Sequence, residues 1–195
     1  MTTQMTSTQS SPDVDDGMVN GIHMETLLGT VNAIEQEPDL GASKFRASNV
    51  WLGGNRNQST ITGFYGAKQE IAHKQKFVLD ADEPPILAGN DDGANPVEHL
   101  LNALAACVTT SMVAHAAVRG IQIQALESQL EGDIDLRGFL GLADDVAKGF
   151  TDIRIKFKVK ADVKNLDRLK RLTAFSPVLN TITQGATVDI QVEEM

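Results

Sequence analysis

The sequence has a single cysteine, no excess of basic residues and no long apolar run, and each shortage removes a class of protein. Cys107 is the only thiol in 195 residues, so no intramolecular disulfide can form and a disulfide-stapled secreted scaffold is excluded. A reduced, cytoplasmic setting is the simplest expectation. Lys and Arg number 17 against 26 Asp and Glu, a formal charge of −9 at pH 7. Phosphate backbones are bound by clustered cations, and with no such cluster a nucleic-acid partner is not expected. No stretch approaches the roughly 18 uninterrupted apolar residues of a membrane span, and the N-terminus carries neither a charged nor an apolar signal region. Neither a membrane partner nor export is expected.

Other absences narrow the chemistry. No internal repeat is visible, and Gly53-Gly54, Gly138 and Gly141 lack the spacing of a phosphate-cradling loop. His99 and His115 stand about 24 Å apart on one helical segment, too far to share a metal. No metal and no other cofactor is therefore expected. Ser111, His115 and Ser176 form no nucleophile elbow.

What is present is the composition of a globular protein, 42% hydrophobic and 22% charged, with the length of one domain. Residues 1–18 are Ser, Thr, Gln and Asp with little apolar content and read as a disordered tail. Residues 19–40 read as an accessory amphipathic helix, with Ile22, Leu27, Leu28, Val31 and Ile34 at three- and four-residue steps before Pro38 and Gly41. The main domain spans 41–195. Its first part reads as an antiparallel meander, Phe45–Leu52, Ser59–Tyr65 and Lys76–Asp80, with Gly53-Gly54-Asn55 and a longer polar turn between strands. A loop rich in Asp, Gly and Pro then leads to Asn95-Pro96, a helix cap followed by proline at the first helical position.

Pro96–Arg119 reads as a buried central helix, poor in charge and rich in small residues, stopped by Gly120. Strand patterns follow at Ile121–Ile134 and Thr151–Val159, the latter alternating almost without exception, with Asp133 and Asp135 as candidate partners for its cationic face. Helical stretches follow from Lys164 to Leu172 and from Ser176-Pro177 to Thr183, with a closing strand at Thr187–Val192. Strands in runs with a few helices indicate α+β.

Cys107 lies on the central helix, Glu98 opens that helix, and Arg46 and Arg56 lie in the strand region. Thiol chemistry needs a thiolate; a guanidinium lowers a thiol's pKa and a carboxylate can hold the guanidinium in place. Nine residues of helix, however, turn about 900° and rise about 13.5 Å, so Glu98 and Cys107 face opposite sides. If they cooperate, the helix start is bent or the groups come from two copies of the chain. Equally, a cysteine in an Ala-rich helix is a small hydrophobe by default, and a glutamate in a first turn is a favourable charge at a helix N-terminus.

The run Asn95-Pro96-Val97-Glu98-His99-Leu100-Leu101-Asn102-Ala103-Leu104-Ala105-Ala106-Cys107 resembles the signature helix of the OsmC/Ohr family. Ala116–Ile121 and Ser176–Ile182 add to the resemblance, which extends from about Phe45 to Val192. It implies an α+β fold with an antiparallel sheet and buried central helix, assembled as an intertwined homodimer with sites at the subunit interface. It also implies reduction of organic hydroperoxides in oxidative-stress defence, with Cys107 as the reactive cysteine, Glu98 as the glutamate that engages an arginine, and Arg56, ahead of Arg46, as that arginine. The departure is Ser176, which stands before Pro177 where peroxidatic members carry a second cysteine. A hydroxyl cannot capture a sulfenic acid as a disulfide, so turnover needs an external thiol reductant. The alternative is a non-catalytic protein on the same fold that binds a small apolar ligand or senses redox state.

Overall fold

The computed structural model describes residues 17–194, so most of the expected tail lies outside the described residues. Met18 already belongs to a strand. β1 (Met18–Val19) and β2 (Ile22–His23) form a small antiparallel hairpin. Its turn, Asn20-Gly21, has φ of 53° and 76°, the doubly left-handed turn that Asn-Gly favours because it matches strand twist. The helix expected from Val19 therefore begins five residues later, as α1 (Met24–Gln36), with the His23 ring accepting from the Thr26 amide. The apolar spacing was a correct signal for the helix; the turn pair decided where it starts. None of α1 is buried, and Leu28, Val31 and Ile34 form an exposed stripe.

The meander comprises β3 (Lys44–Phe45), β4 (Ser48–Gly53), β5 (Arg56–Gly66) and β6 (Gln69–Ala81). β5 is the shared strand, pairing with β3, β4 and β6. The longer polar turn expected after Tyr65 is instead the two-residue turn Ala67-Lys68, both with positive φ, so β6 begins at Gln69. The Lys68 ammonium pairs with Glu37 just past α1, an interaction across the chain that residue propensities do not announce.

The central helix, α2 (Pro96–Val118), starts with a capping box. Asn95 Oδ1 accepts from the Val97 amide at 2.8 Å and Glu98 Oε2 accepts from the Asn95 amide at 2.9 Å, satisfying donors that every helix start leaves open. By length and composition alone α2 could cross a membrane, yet its Leu104, Val108, Met112, Ala116 and Ala117 are buried within the fold. The helix is not buried all round, as expected from its small residues: Leu100 and Val118 remain 40% and 45% exposed.

Opposite the buried face lies an antiparallel pair, β7 (Ile123–Asp133) and β8 (Asp152–Ala161), separated by the short α3 (Leu136–Phe139). The alternation of β8 sends Phe157 and Val159 against the core and Arg154, Lys156 and Lys158 outward. Arg154 pairs with Glu131 and Asp133, while Asp135 turns to Arg137. α4 (Leu166–Leu172) closes the core with Leu169 and Leu172, and α5 (Pro177–Gln184) packs on α2. Burying such side chains contributes about 1.5–3 kcal/mol each.

Thr187–Val192 is not a strand: no described residue pairs with it, and Val188, Ile190 and Val192 are exposed. The alternation is real, but a strand needs an edge to bond to.

Asn20 joins the first hairpin to the second half of the fold. Its Nδ2 donates to the Ile121 carbonyl at 2.9 Å and its Oδ1 accepts from the Ile123 amide at 2.8 Å, so one side chain does what a neighbouring strand would do. Asn20→Ala is expected to lower stability by about 1–3 kcal/mol, measured by urea unfolding, with faster amide exchange at Ile123.

Candidate functional site

Cys107 is half-buried on α2. One residue beyond it, Val108 points to the core with 1% exposure, and the 100° step between them places the thiol at the side of the helix. The same stripe carries Leu100, Ala103, Ser111, Ala114 and Val118 at three- and four-residue steps. α2 runs without interruption from Pro96 to Val118, so Glu98 and Cys107 lie on opposite sides within one chain.

The other expected site residues have local partners. Glu98 is engaged in the capping box. Arg56 opens β5, with its Nε 3.5 Å from Asp92 Oδ2. Arg46 holds Glu70 through two bonds of 2.8 and 2.9 Å, and this charge-assisted bonding holds the Glu70 carboxyl below its ordinary range. The single chain does not bring Arg56, Arg46 or Glu98 into hydrogen-bond contact with Cys107. Ser176 is fully buried, and its hydroxyl oxygen accepts from the Leu179 amide at 3.2 Å as the N-cap of α5. Serine here has a structural role that a thiol fills poorly, since sulfur is a weak acceptor.

Arg56 is held by a loop whose organising group is Asp82, 1% exposed. Asp82 Oδ2 accepts from the Asn90 and Asp92 amides at 3.0 and 3.2 Å. Burial pushes this carboxyl up, but the amides of Glu83, Asp92 and Asn90 and the charge of Arg56 outweigh burial and hold it below the usual carboxylate range. Gly89 lets the loop close, because a Cβ there would stand 1.7 Å from the Glu83 carbonyl oxygen. Asn95 donates from its side chain to Glu83, so the loop connects Arg56 and the β4–β5 turn to the first turn of α2. The breaker-rich composition of the loop was visible in the sequence; the burial of one carboxylate was not.

At the other end of α2, the His115 ring stacks on Phe175 at 3.9 Å between centroids and 23° between planes. Arg119 Nη1 donates to the His115 carbonyl at 3.0 Å, and its guanidinium carbon sits 5.6 Å from the Phe175 ring centre. Phe175 directly precedes Ser176, so the cluster fixes the entry to α5. The i, i+4 spacing of His115 and Arg119 is readable from sequence; Phe175, 56 residues after Arg119 in the sequence, is not.

On the core-facing side of α2, an apolar cavity of about 470 Å³ is lined by Val108, Met112, Phe157, Leu169 and Leu179 among others. Cys107 is not among its lining residues.

Burial, and then the charge of Arg119, lowers the His115 pKa from its ordinary 6.5. The neutral ring is favoured by folding, so its contribution is full above pH 6.5 and is lost as pH falls through the lower folded value. Urea midpoints at pH 7.5 and 5 should drop more for the native chain than for His115→Gln, which removes the titrating ring.

The comparisons with known proteins bear on the fold and the family. No curated protein matches the chain in sequence. Among solved structures, an OsmC-like protein from Mycoplasma pneumoniae shares 18% identity at a TM-score of 0.55, covering 72% of this chain and 87% of that one. A Psychrobacter arcticus protein described as osmotic-stress-induced and a detoxification-response protein shares 16% at 0.53, over 71% and 88%. An OsmC-like protein of unknown function from Vibrio cholerae shares 12% at 0.51, over 72% and 94%. At such identities the likeness is one of fold, α+β with antiparallel sheets. The family profile described as OsmC-like protein matches residues 89–191, more than half of the chain, including α2 with Cys107 and the Ser176-Pro177 turn. The chain belongs to the OsmC-like protein family.

Proposed function

We propose that this protein is a thiol peroxidase that reduces organic hydroperoxides through Cys107 alone, using an external thiol, and that it works as a homodimer in a reducing compartment. Family membership supports the coarser reading of a redox or stress-related role. The observation that carries the finer one is the position of the only thiol: half-buried at the side of the family's signature helix, outside the core cavity. In the proposed cycle the Cys107 thiolate attacks the distal peroxide oxygen, the O–O bond breaks, and the alcohol leaves after taking a proton. The resulting sulfenic acid condenses with one external thiol, releasing water and forming a mixed disulfide. A second external thiol releases Cys107 and carries away the disulfide. Ser176, buried and engaged as a cap, takes no part in these steps.

Among the described residues no guanidinium is in hydrogen-bond contact with Cys107, and the dimer reading supplies one from the second copy, with Arg56 as the residue delivered and Glu98 as its positioning partner. Three features support a covering copy. Val50, Trp51 and Leu52 on β4 and Phe77, Val78 and Leu79 on β6 are 41–72% exposed, and because neighbouring strand residues alternate, both faces of this sheet carry uncovered apolar side chains. The Thr187–Val192 segment alternates without a pairing edge, and the Cys107 stripe of α2 is flanked by exposed Leu100 and Val118.

With cumene hydroperoxide and dithiothreitol or a dihydrolipoyl donor, the native chain should consume peroxide and Cys107→Ser should match the protein-free control. Equal inertness of both would remove the catalytic reading and leave ligand binding on the same fold. The dimer is tested separately through Trp51, the only tryptophan. Dilution through the dissociation range should shift its emission to longer wavelength together with a halving of mass by light scattering. A monomer at all concentrations would overturn the shared site.

A further inference from the structure

The chain is acid-rich, and most of its arginines have found a carboxylate. Arg46, Arg56, Arg137 and Arg154 are ion-paired with Glu70, Asp92, Asp135 and the Glu131/Asp133 pair. Among the described residues Arg119, Arg168 and Arg171 are not, although 26 carboxylates are present in the sequence. Arg119 and Arg168 line the same polar pocket of about 400 Å³, where α2 ends, β7 begins and α4 starts. Lys164, Gln122, Gln124 and Asn165 add further donor groups, and its one carboxylate, Asp162, is 2.9 Å from Lys164. We infer that this pocket binds a small multivalent oxyanion of the phosphate class, such as a phosphate ester or pyrophosphate, at a site separate from Cys107.

The guanidinium groups are held ready for such a ligand. Arg119 spends Nη1 on the His115 carbonyl and ring and lies against Phe175, and its Nε and Nη2 edge has no hydrogen bond among the described residues. Arg168 has only a long contact, 3.4 Å, from Nη1 to Oδ1 of buried Asn165. Planar guanidinium forks match the paired oxygens of a phosphate and exceed a lysine in geometric selectivity. Beneath them runs Gly120–Gln124, whose Ile121 carbonyl and Ile123 amide are both held by Asn20. A floor braced in this way reduces the ordering cost of binding. Donors dominate the lining, which disfavours a metal cation or an apolar ligand. The net charge of −9 disfavours a nucleic-acid polyanion, whereas a small anion interacts mainly with the local cations. Twelve residues of helix put Arg119 about 18 Å along the axis from Cys107, so occupancy does not require the thiol.

The test titrates the full chain with inorganic pyrophosphate, with sodium chloride at matched ionic strength and citrate as comparison arms, read by calorimetry and by amide chemical shifts. Saturable binding is expected, with shifts at Gly120, Gln122 and Gln124, and weaker or no binding of citrate. Arg168→Gln should weaken affinity about tenfold or more, as expected for losing a charge-assisted contact. Arg46→Gln, which changes net charge equally elsewhere, should leave it unchanged. Lys164→Gln supplies a second reduction independent of α4 packing. Binding no stronger than the chloride control, tighter binding of citrate than of pyrophosphate, or equal loss in Arg46→Gln would overturn the assignment.

Discussion

The burial of one face of α2 is the constraint on which the fold depends. Met112 and Ala116 meet Ile121, Leu169, Leu172 and the inner side of β7–β8, Leu104 and Val108 are buried on the same face, and this packing fixes both the rotation and the axial position of the helix. Cys107 is one residue from Val108, so its half-buried place at the side of the helix follows from that rotation. The same packing turns Glu98 to the far side and sends Arg119 beyond the core to the pocket at the helix end. Three chemically distinct positions are thus set by one packed stripe.

The start and end of α2 are fixed by different physics. At the start, Asn95 and Glu98 satisfy open amides, and the Asp82 loop draws Arg56 and the β4–β5 turn toward the same point through backbone amides and Asp92. Glu98 is therefore a structural cap in the single chain, and the role proposed for it in supporting an arginine requires it to leave or share that bond. At the end, His115, Arg119 and Phe175 form a stacked and charged cluster in front of Ser176. Ser176 is then committed to capping α5. A serine there is a better cap for a buried helix start than a cysteine would be.

The central helix, the antiparallel meander and the alternating β8 were legible because each pattern is local. Asn95-Pro96 marks a helix start by cap chemistry, and Thr151–Val159 marks a half-exposed strand by period two. The errors arose where a local pattern had a rival or needed a partner. Asn20-Gly21 displaced the start of α1 because its turn fits a hairpin, and Ala67-Lys68 made a tight turn where a longer one was expected. Thr187–Val192 has the alternation of a strand and no edge to pair with in this chain. The small residues around α2 suggested burial on all sides, whereas the single chain covers one face.

The sequence by itself determined the α+β class, the family helix and the single thiol, because these depend on residue identity and short-range spacing. Only the tertiary structure decided which groups meet. It gave Arg56 to Asp92 and Arg46 to Glu70, buried Asp82 among backbone amides, and brought Arg119 and Arg168, neither of them ion-paired, to one pocket. Those outcomes depend on distances between residues far apart in the chain, which side-chain packing sets and sequence spacing does not.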